Sequence, residues 1–218
     1  NIVYSMGGKV ISDDMKTSGM DDPNTVKAME FVDKLRKDAM PDATVMSETG
    51  TDVLLQSGKI AMLPQGSWMV APFKENEYIV ANCDVAVLPK DATTGKRVSL
   101  YNGLGWAANA GTKNPEAAWK LIGFLLQHGE DYLREGGNII QPTKALLESQ
   151  TLKDMPYSEV FINDMNKAHI VYYGANSAEL QTAIRSAVES VMLAGVSPEK
   201  ALASLRATAQ EILDEENK

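Results

Sequence analysis

The sequence predicts a helix-rich α/β fold. Two observations indicate it: four segments carry apolar residues at the three- and four-residue spacing of an amphipathic helix, and short strand-like segments lie between them. The chain has 218 residues, with 21 Lys and Arg against 29 Asp and Glu, and its net charge is −8. Nucleic acids and anionic lipids bind clustered cations, so this acidic balance argues against both as partners.

Start signals predict the first two helices. Asp22 followed by Pro23 is typical of an N-cap and a first helical position, and apolar residues then recur on one face over residues 23–38. The run Asn-Pro-Glu at 114–116 repeats this start, and Gly129 is expected just past the end of the second helix. The apolar face of that helix comprises Leu121, Ile122, Leu125 and Leu126.

The last forty or so residues are predicted to form a helical hairpin. Ser177 is expected to cap the third helix, which carries apolar residues as far as Val191 and stops near Gly195. Ser197 and Pro198 open the fourth helix, whose apolar positions extend to Ile212.

Short strands are predicted between these helices. They are expected at residues 59–63, 85–88, 98–101 and 106–109, and the linker 89–95 has the composition of a turn. The sequence shows no internal repeat and no low-complexity tract.

The inventory of metal ligands and nucleophiles is small. A single cysteine, Cys83, excludes a disulfide within the chain, and two histidines that lie far apart leave a zinc site without enough ligands. Asp13, Asp14, Asp21 and Asp22 lack the spacing of a calcium loop. We therefore predict no metal and no cofactor.

Two motifs that suggest enzyme chemistry lack their structural context. The run 103–108 matches G-x-G-x-x-A, but a helix should follow the glycines at once, and the next helix start is at Asn114. Neither histidine belongs to a local nucleophile signature such as G-x-S-x-G. We predict that the protein is not an enzyme.

Aromatic residues are scarce, at 6%, so their positions are informative. Trp68 follows Gly66 and Ser67 in a predicted loop, and Tyr173 lies in a polar loop before the third helix. A sugar site needs flat apolar rings and polar groups for hydroxyls, and Trp68, Tyr173, Asn176 and Glu179 offer both. Core packing is the alternative role for each ring, and it is the expected role of Trp119.

Several runs resemble the extracellular solute-binding proteins of ABC transporters, in particular the sugar-binding branch that includes maltose-binding protein. The run 56–62 (QSGKIAM) followed by Gly66-Ser67-Trp68 resembles that family's G-K-A-A-M and G-x-W segments. Further family-like runs follow in the family's order, at residues 84–89 (DVAVLP), 103–108, 113–119 (KNPEAAW) and 136–142. Near the N-terminus, residues 6–10 (MGGKV) resemble the family's glycine pair before a turn.

The resemblance implies a periplasmic-binding-protein-like type II fold with two lobes and a ligand cleft. Residues 1–83 and 140–218 would build the C-terminal lobe, and residues 84–139 would be a late segment of the N-terminal lobe. The family's N-terminal half has no counterpart here, so we expect the chain to be the C-terminal portion of a longer protein. The uncovered apolar face of the helix at 115–127 should then be covered by a second chain, by a swapped element or by repacking onto residues 1–83.

The resemblance also implies ligand residues and partners. Trp68 matches the family's stacking Trp, with Gly66 and Ser67 beside it, whereas Gln181 stands where maltose-binding protein has a second stacking Trp. The implied function is capture of a sugar or oligosaccharide for import, and Gln181 at this position argues against maltodextrin specificity. A membrane permease is the implied partner, and the location is extracellular, either periplasmic or lipid-anchored on the outer face. Binding of a polyol or glycerol-phosphate compound, or a carbohydrate-active enzyme domain, is the alternative.

Overall fold

A computed structural model of the chain describes residues 1–40, 50–101, 105–136, 139–165 and 168–216. Within these ranges the chain divides into two compact units. Unit 1 draws on residues 1–54, 88–101 and 167–218, and unit 2 on residues 55–87 and 102–166. The predicted lobes divide the chain at other positions, 83/84 and 139/140, and the lobe assignment stays a prediction.

Helices dominate the described residues, as the sequence predicts. Their bounds are α1 (Ile2–Ser5), α2 (Pro23–Ala39), α3 (Thr51–Gln56), a 3₁₀ turn (Ser67–Met69), α4 (Val70–Lys74), α5 (Glu77–Asn82), α6 (Pro115–Gln127), α7 (Gly129–Glu135), α8 (Lys144–Glu148), α9 (Gln150–Asp154), α10 (Ser158–Met165), α11 (Ser177–Met192) and α12 (Pro198–Glu216).

Unit 1 is built around α2 and the hairpin of α11 and α12. Asp22 caps α2 by accepting hydrogen bonds from the backbone N–H groups of Asn24 (2.8 Å) and Thr25 (3.2 Å). The hairpin turn contains Gly195, whose φ of +66° is a conformation that glycine adopts without strain. Apolar side chains of the three helices form one core: Met29, Leu180, Val191, Ala201, Leu202, Leu205, Ala209 and Ile212.

A short parallel ladder also belongs to unit 1. Strand β1 (Leu100–Tyr101) pairs with β2 (His169–Ile170), with Leu100 opposite His169 and Tyr101 opposite Ile170. The ladder is extended by hydrogen bonds from the His169 N–H to the Ser99 carbonyl (2.8 Å) and from the Val171 N–H to the Tyr101 carbonyl (3.2 Å).

Most of the predicted strands are wrong. Of the predicted strand 98–101 only residues 100–101 pair, and residues 59–63, 85–88 and 106–109 form no strand. These segments have β-like composition, but a strand also needs a neighbouring strand for its backbone hydrogen bonds. Among the described residues, β1 and β2 are the strands that find such a partner.

Two predicted helix ends also need correction. The N-cap position of α11 is occupied by Asn176, whose side chain makes no capping hydrogen bond. Ser177 is already the first helical residue. The Ser177 hydroxyl instead accepts a hydrogen bond from the Tyr173 N–H at 3.2 Å. Helix α6 ends at Gln127 as predicted, but Gly129 begins α7 instead of a loop.

Unit 2 has a smaller core and an uncovered helix. Its core joins Leu133, Leu146, Leu152 and Met155 from the short helices α7 to α9 and the residue after α9. Helix α6 buries none of its residues: Trp119, Leu121, Phe124 and Leu126 are exposed, and Ile122 and Leu125 are half-buried. The apolar face of α6 is thus largely exposed in the part of the chain that the structure describes.

No helix among the described residues has both the length and the apolar character that a membrane crossing requires.

Candidate ligand-binding site

Trp68 lies in the 3₁₀ turn that begins α4. The Met69 N–H donates to the Gly66 carbonyl at 3.1 Å, and Val70, buried in unit 2, fixes the start of the following helix. Trp68 itself is 55% exposed. The turn combines a glycine, a hydroxyl and an indole, and it exposes the indole, its largest apolar group, to solvent.

Gly66 determines where the Trp68 ring can lie. A Cβ atom added to Gly66 would approach the six-membered ring of Trp68 to between 2.1 and 2.6 Å, closer than carbon atoms can pack. The indole therefore lies directly against the Gly66 backbone. Ser67 lies between them in the chain and is half-buried. The three predicted residues Gly66, Ser67 and Trp68 form one local surface.

Asn176, Glu179 and Gln181 lie at the N-terminal end of α11, in unit 1. Asn176 is half-buried and Glu179 is exposed, and their spacing of three places them on neighbouring positions of the helix. Gln181 lies on a different face, because residues two apart on a helix do not face each other. Its side-chain amide donates to the Ser177 hydroxyl at 3.2 Å.

Tyr173 is not available for stacking. Its side chain is 6% exposed, and its hydroxyl lies 3.3 Å from that of Tyr4 within the core of unit 1. Burial raises the pKa of both tyrosines. The neighbouring Tyr172 is 60% exposed. Two adjacent tyrosines in a polar loop give no sequence signal of which one faces the core, and the structure buries Tyr173 and exposes Tyr172.

The loop before α11 is held by a residue that sequence reasoning missed. Glu216, in the last turn of α12, accepts hydrogen bonds from the backbone N–H groups of Ala175 and Asn176. Its carboxylate also occupies the space where Gly174 would carry a side chain. No sequence signal links Glu216 to Ala175 and Asn176, which lie 41 and 40 residues earlier in the chain.

The predicted residues therefore fall into two groups. Gly66, Ser67 and Trp68 belong to unit 2, whereas Tyr173, Asn176, Glu179 and Gln181 belong to unit 1.

The acidic residues near the N-terminus have partners within unit 1. Asp13 pairs with Lys9 at 3.0 Å, Asp21 pairs with Arg206 at 2.9 Å, and Asp14 accepts from the Ser12 hydroxyl at 2.5 Å. The Lys16 N–H also donates to Asp14, and hydrogen bonds from the Ser12 hydroxyl and this N–H lower the pKa of Asp14. Over the ranges that the structure describes, no group of three or more His, Cys, Asp or Glu side chains could hold a metal ion.

The glycine motif at 103–108 lies partly outside the described residues, which resume at Gly105. Residues 105–109 form neither helix nor strand, and the next helix begins at Pro115. No helix start follows the motif directly, as a pyrophosphate-binding loop would require.

Comparison with known proteins identifies the family. The sequence profile of the bacterial extracellular solute-binding proteins matches residues 1–131. The chain belongs to this family. The solute-binding protein is 29% identical over 211 residues to a Deinococcus radiodurans protein named probable ABC transporter-binding protein. That alignment covers 93% of the chain and 50% of the relative.

Solved structures confirm the predicted fold of this solute-binding protein. The GacH receptor of Streptomyces glaucescens, solved unliganded and with acarbose, matches with a TM-score of 0.81 at 21% identity. A solute-binding protein of Thermotoga lettingae bound to α-D-tagatose matches with a TM-score of 0.78 at 22% identity. The maltose-maltodextrin binding protein of Alicyclobacillus acidocaldarius matches with a TM-score of 0.74 at 20% identity.

These alignments cover most of the chain and only part of each relative. The three structures match 98%, 97% and 96% of the chain, but 56%, 55% and 58% of their own lengths. The solute-binding protein described here therefore spans about half the length of the proteins that it matches.

Proposed function

We propose that the complete protein carrying this sequence is the substrate-binding component of an ABC transporter and captures a sugar or oligosaccharide for import. Family membership and the ABC transporter-binding relative support the transport role. The observation that carries the sugar assignment is the exposed indole of Trp68 lying against Gly66.

The chemistry of a sugar suits these residues. A pyranose ring has an apolar C–H face, which stacks on an indole, and hydroxyls that need hydrogen-bond partners. In this proposal Trp68 supplies the stacking surface and Ser67 a hydroxyl. Asn176, Glu179 and Gln181 supply amide and carboxylate groups for the sugar hydroxyls. Tyr172 replaces Tyr173 as the aromatic candidate in the loop before α11, because its ring is the exposed one.

The proposal includes the partner, location and chemistry that a transport receptor implies. The protein acts outside the membrane, in the periplasm or as a lipoprotein anchored on the outer face, and delivers its ligand to the permease subunits. It binds its ligand without transforming it. The relatives support this role, since those matched are named as receptors and binding proteins.

A phosphorylated ligand fits these residues less well. A phosphate group requires nearby cations or free N–H groups, and the Gly66–Met69 turn carries neither Lys nor Arg. Arg134 of unit 2 pairs with Asp131 of its own helix. A neutral polyol remains the second candidate, since it presents hydroxyls without charge.

Isothermal titration calorimetry of the complete protein tests the proposal. The panel should contain neutral ligands, namely maltose, acarbose, tagatose and a polyol, together with glycerol phosphate. We expect a neutral sugar to bind and Trp68→Ala to weaken its binding by about 1–3 kcal/mol, the range for losing a large aromatic contact.

Trp119→Ala is the matched control. Trp119 is 61% exposed but lies on α6, away from the Gly66–Met69 turn in the sequence, so this variant loses an equal ring without losing the proposed contact. Binding of glycerol phosphate alone, hydrolysis of an offered sugar, or equal losses in the two variants would contradict the proposal.

A further inference from the structure

We infer that Glu216 is a positioning residue that holds the loop Gly174–Asn176 in place for ligand binding. The inference rests on the proposed function, since Asn176 and Glu179 are ligand residues only within it.

The contacts of the Glu216 carboxylate carry the inference. One oxygen accepts a hydrogen bond from the Ala175 N–H, and the other accepts from the Asn176 N–H at 3.5 Å. Hydrogen bonds to an ionised acceptor are stronger than those between neutral groups. The carboxylate also lies at the N-terminal end of α11, where the helix dipole favours a negative charge.

Gly174 makes this close approach possible. Its φ is +92°, in the left-handed region that disfavours other residues, and a Cβ atom there would meet the Glu216 carboxylate oxygens at 2.1 and 2.3 Å. A residue with a side chain at position 174 would therefore displace Glu216 from the loop.

The carboxylate is held by a rigid element. Leu213, one turn before Glu216 on α12, is fully buried, and so is Leu180 on α11. Helices α11 and α12 share one core, so the end of α12 cannot move far without disturbing that core. Because α12 is rigid, Glu216 fixes the position of the loop.

The backbone N–H and the side-chain amide of Asn176 have separate roles. Its N–H is held by Glu216, and its side chain makes no capping hydrogen bond to α11, although Asn is a strong N-cap residue. The side-chain amide of Asn176 is therefore available to a ligand, while Glu216 fixes the backbone of the same residue.

The experiment compares Glu216→Ala, Glu216→Gln and Glu215→Ala in the complete protein. Hydrogen exchange of the Ala175 and Asn176 amides reports on the loop, and calorimetry with the sugar that wild-type protein binds reports on the ligand. Glu215 is exposed on the same turn of α12, so its variant matches the change in charge.

We expect Glu216→Ala to lose protection at both amides and to bind the sugar about tenfold more weakly, the scale of one lost charge-assisted hydrogen bond. Glu216→Gln keeps an acceptor oxygen and should recover part of both effects, whereas Glu215→Ala should match wild type. Thermal unfolding separates positioning from stability, because a purely structural role would lower Tm and leave the sugar affinity unchanged.

Unchanged amide protection in Glu216→Ala, or lost protection with wild-type sugar affinity, overturns the inference. If the wild-type protein binds no sugar, the proposed function fails, and hydrogen exchange alone decides whether Glu216 holds the loop. The Gln variant keeps the test valid if the Ala variant does not fold.

Discussion

At the scale of single residues, Gly66 matters through the side chain it lacks. The Trp68 ring occupies the space that a Cβ atom at position 66 would need. We expect Gly66→Ala to displace the indole and to weaken sugar binding by the complete protein about as much as Trp68→Ala does, roughly 1–3 kcal/mol. Calorimetry measures the loss of affinity, and the emission of Trp68 reports the change in its surroundings.

Gly105→Ala is the control for this substitution. A Cβ atom at Gly105 would meet nothing within 4 Å, so the same added methyl group has room. Sugar binding that survives Gly66→Ala unchanged would show that the position of the indole against Gly66 is not what the ligand requires.

The tyrosine pair of unit 1 should make the protein sensitive to alkaline pH. Burial raises the pKa of Tyr4 and Tyr173 above the ordinary value of 10.0, whereas in the unfolded chain both ionise near that value. The stability that the folded state gains from keeping these two hydroxyls neutral is thus complete below pH 10, and it is lost as the pH rises above that value. We expect the free energy of unfolding to fall above about pH 10.

Chemical denaturation at a series of pH values from about 8 to 11 checks this expectation. Tyr4→Phe removes one of the two hydroxyls that lie against each other and should reduce the alkaline loss of stability. Equal alkaline slopes in wild type and Tyr4→Phe would contradict the assignment.

At the scale of elements, the sequence predicts helices well and strands poorly, for a physical reason. Helices α2, α6 and α12 carry Pro at the first position and apolar residues on one face, and both signals act within a few residues. A strand depends on a partner that can lie anywhere in the chain. Leu100–Tyr101 pairs with His169–Ile170, whereas residues 85–88, equally apolar, do not pair.

The same distinction explains what could be predicted of the candidate site. The G-x-W run that singles out Trp68 is local, and the exposure of Trp68 agrees with the expected loop position. Glu216 was not found, because its contact with Ala175 depends on how α12 packs against α11.

Helix α6 offers a prediction about the covering of its apolar face. Leu121 is 58% exposed and Phe124 is 54% exposed, so replacing both by Ser should change the free energy of unfolding of the isolated chain little. The same double variant should reduce self-association of the isolated chain, because a bare apolar face of this size favours a second copy.

Sedimentation velocity of the isolated chain measures this self-association. Lys120→Ser, on the polar side of α6 and paired with Glu116, is the matched control. In the complete protein the double Ser variant should unfold at a lower temperature, if the remaining half of the protein covers the helix. A monomeric isolated chain at high concentration would contradict the expected association.

At the scale of the whole molecule, the isolated chain should bind sugar weakly or not at all. It spans half the length of its relative, and a stacking contact on one indole contributes only about 1–2 kcal/mol. Micromolar affinity corresponds to roughly 8 kcal/mol. Calorimetry of the isolated chain and of the complete protein with the same sugar should show binding in the second case only.

Equally tight binding by the isolated chain would show that these 218 residues contain the whole site. The residues missing from the chain relative to its family would then have a role other than ligand contact.

The β1–β2 ladder predicts where the length of the chain can vary among natural variants. Residues 102–166 leave unit 1 directly after β1 and return just before β2, and paired parallel strands lie only about 4.8 Å apart. Tyr101 and His169, the unit 1 strand residues that flank this segment, therefore lie on adjacent strands and are offset by one residue. An insertion whose ends are already joined in space can gain or lose residues at little entropic cost to its host. Length differences among natural variants should accordingly concentrate between Tyr101 and His169, while the α11–α12 hairpin keeps its length.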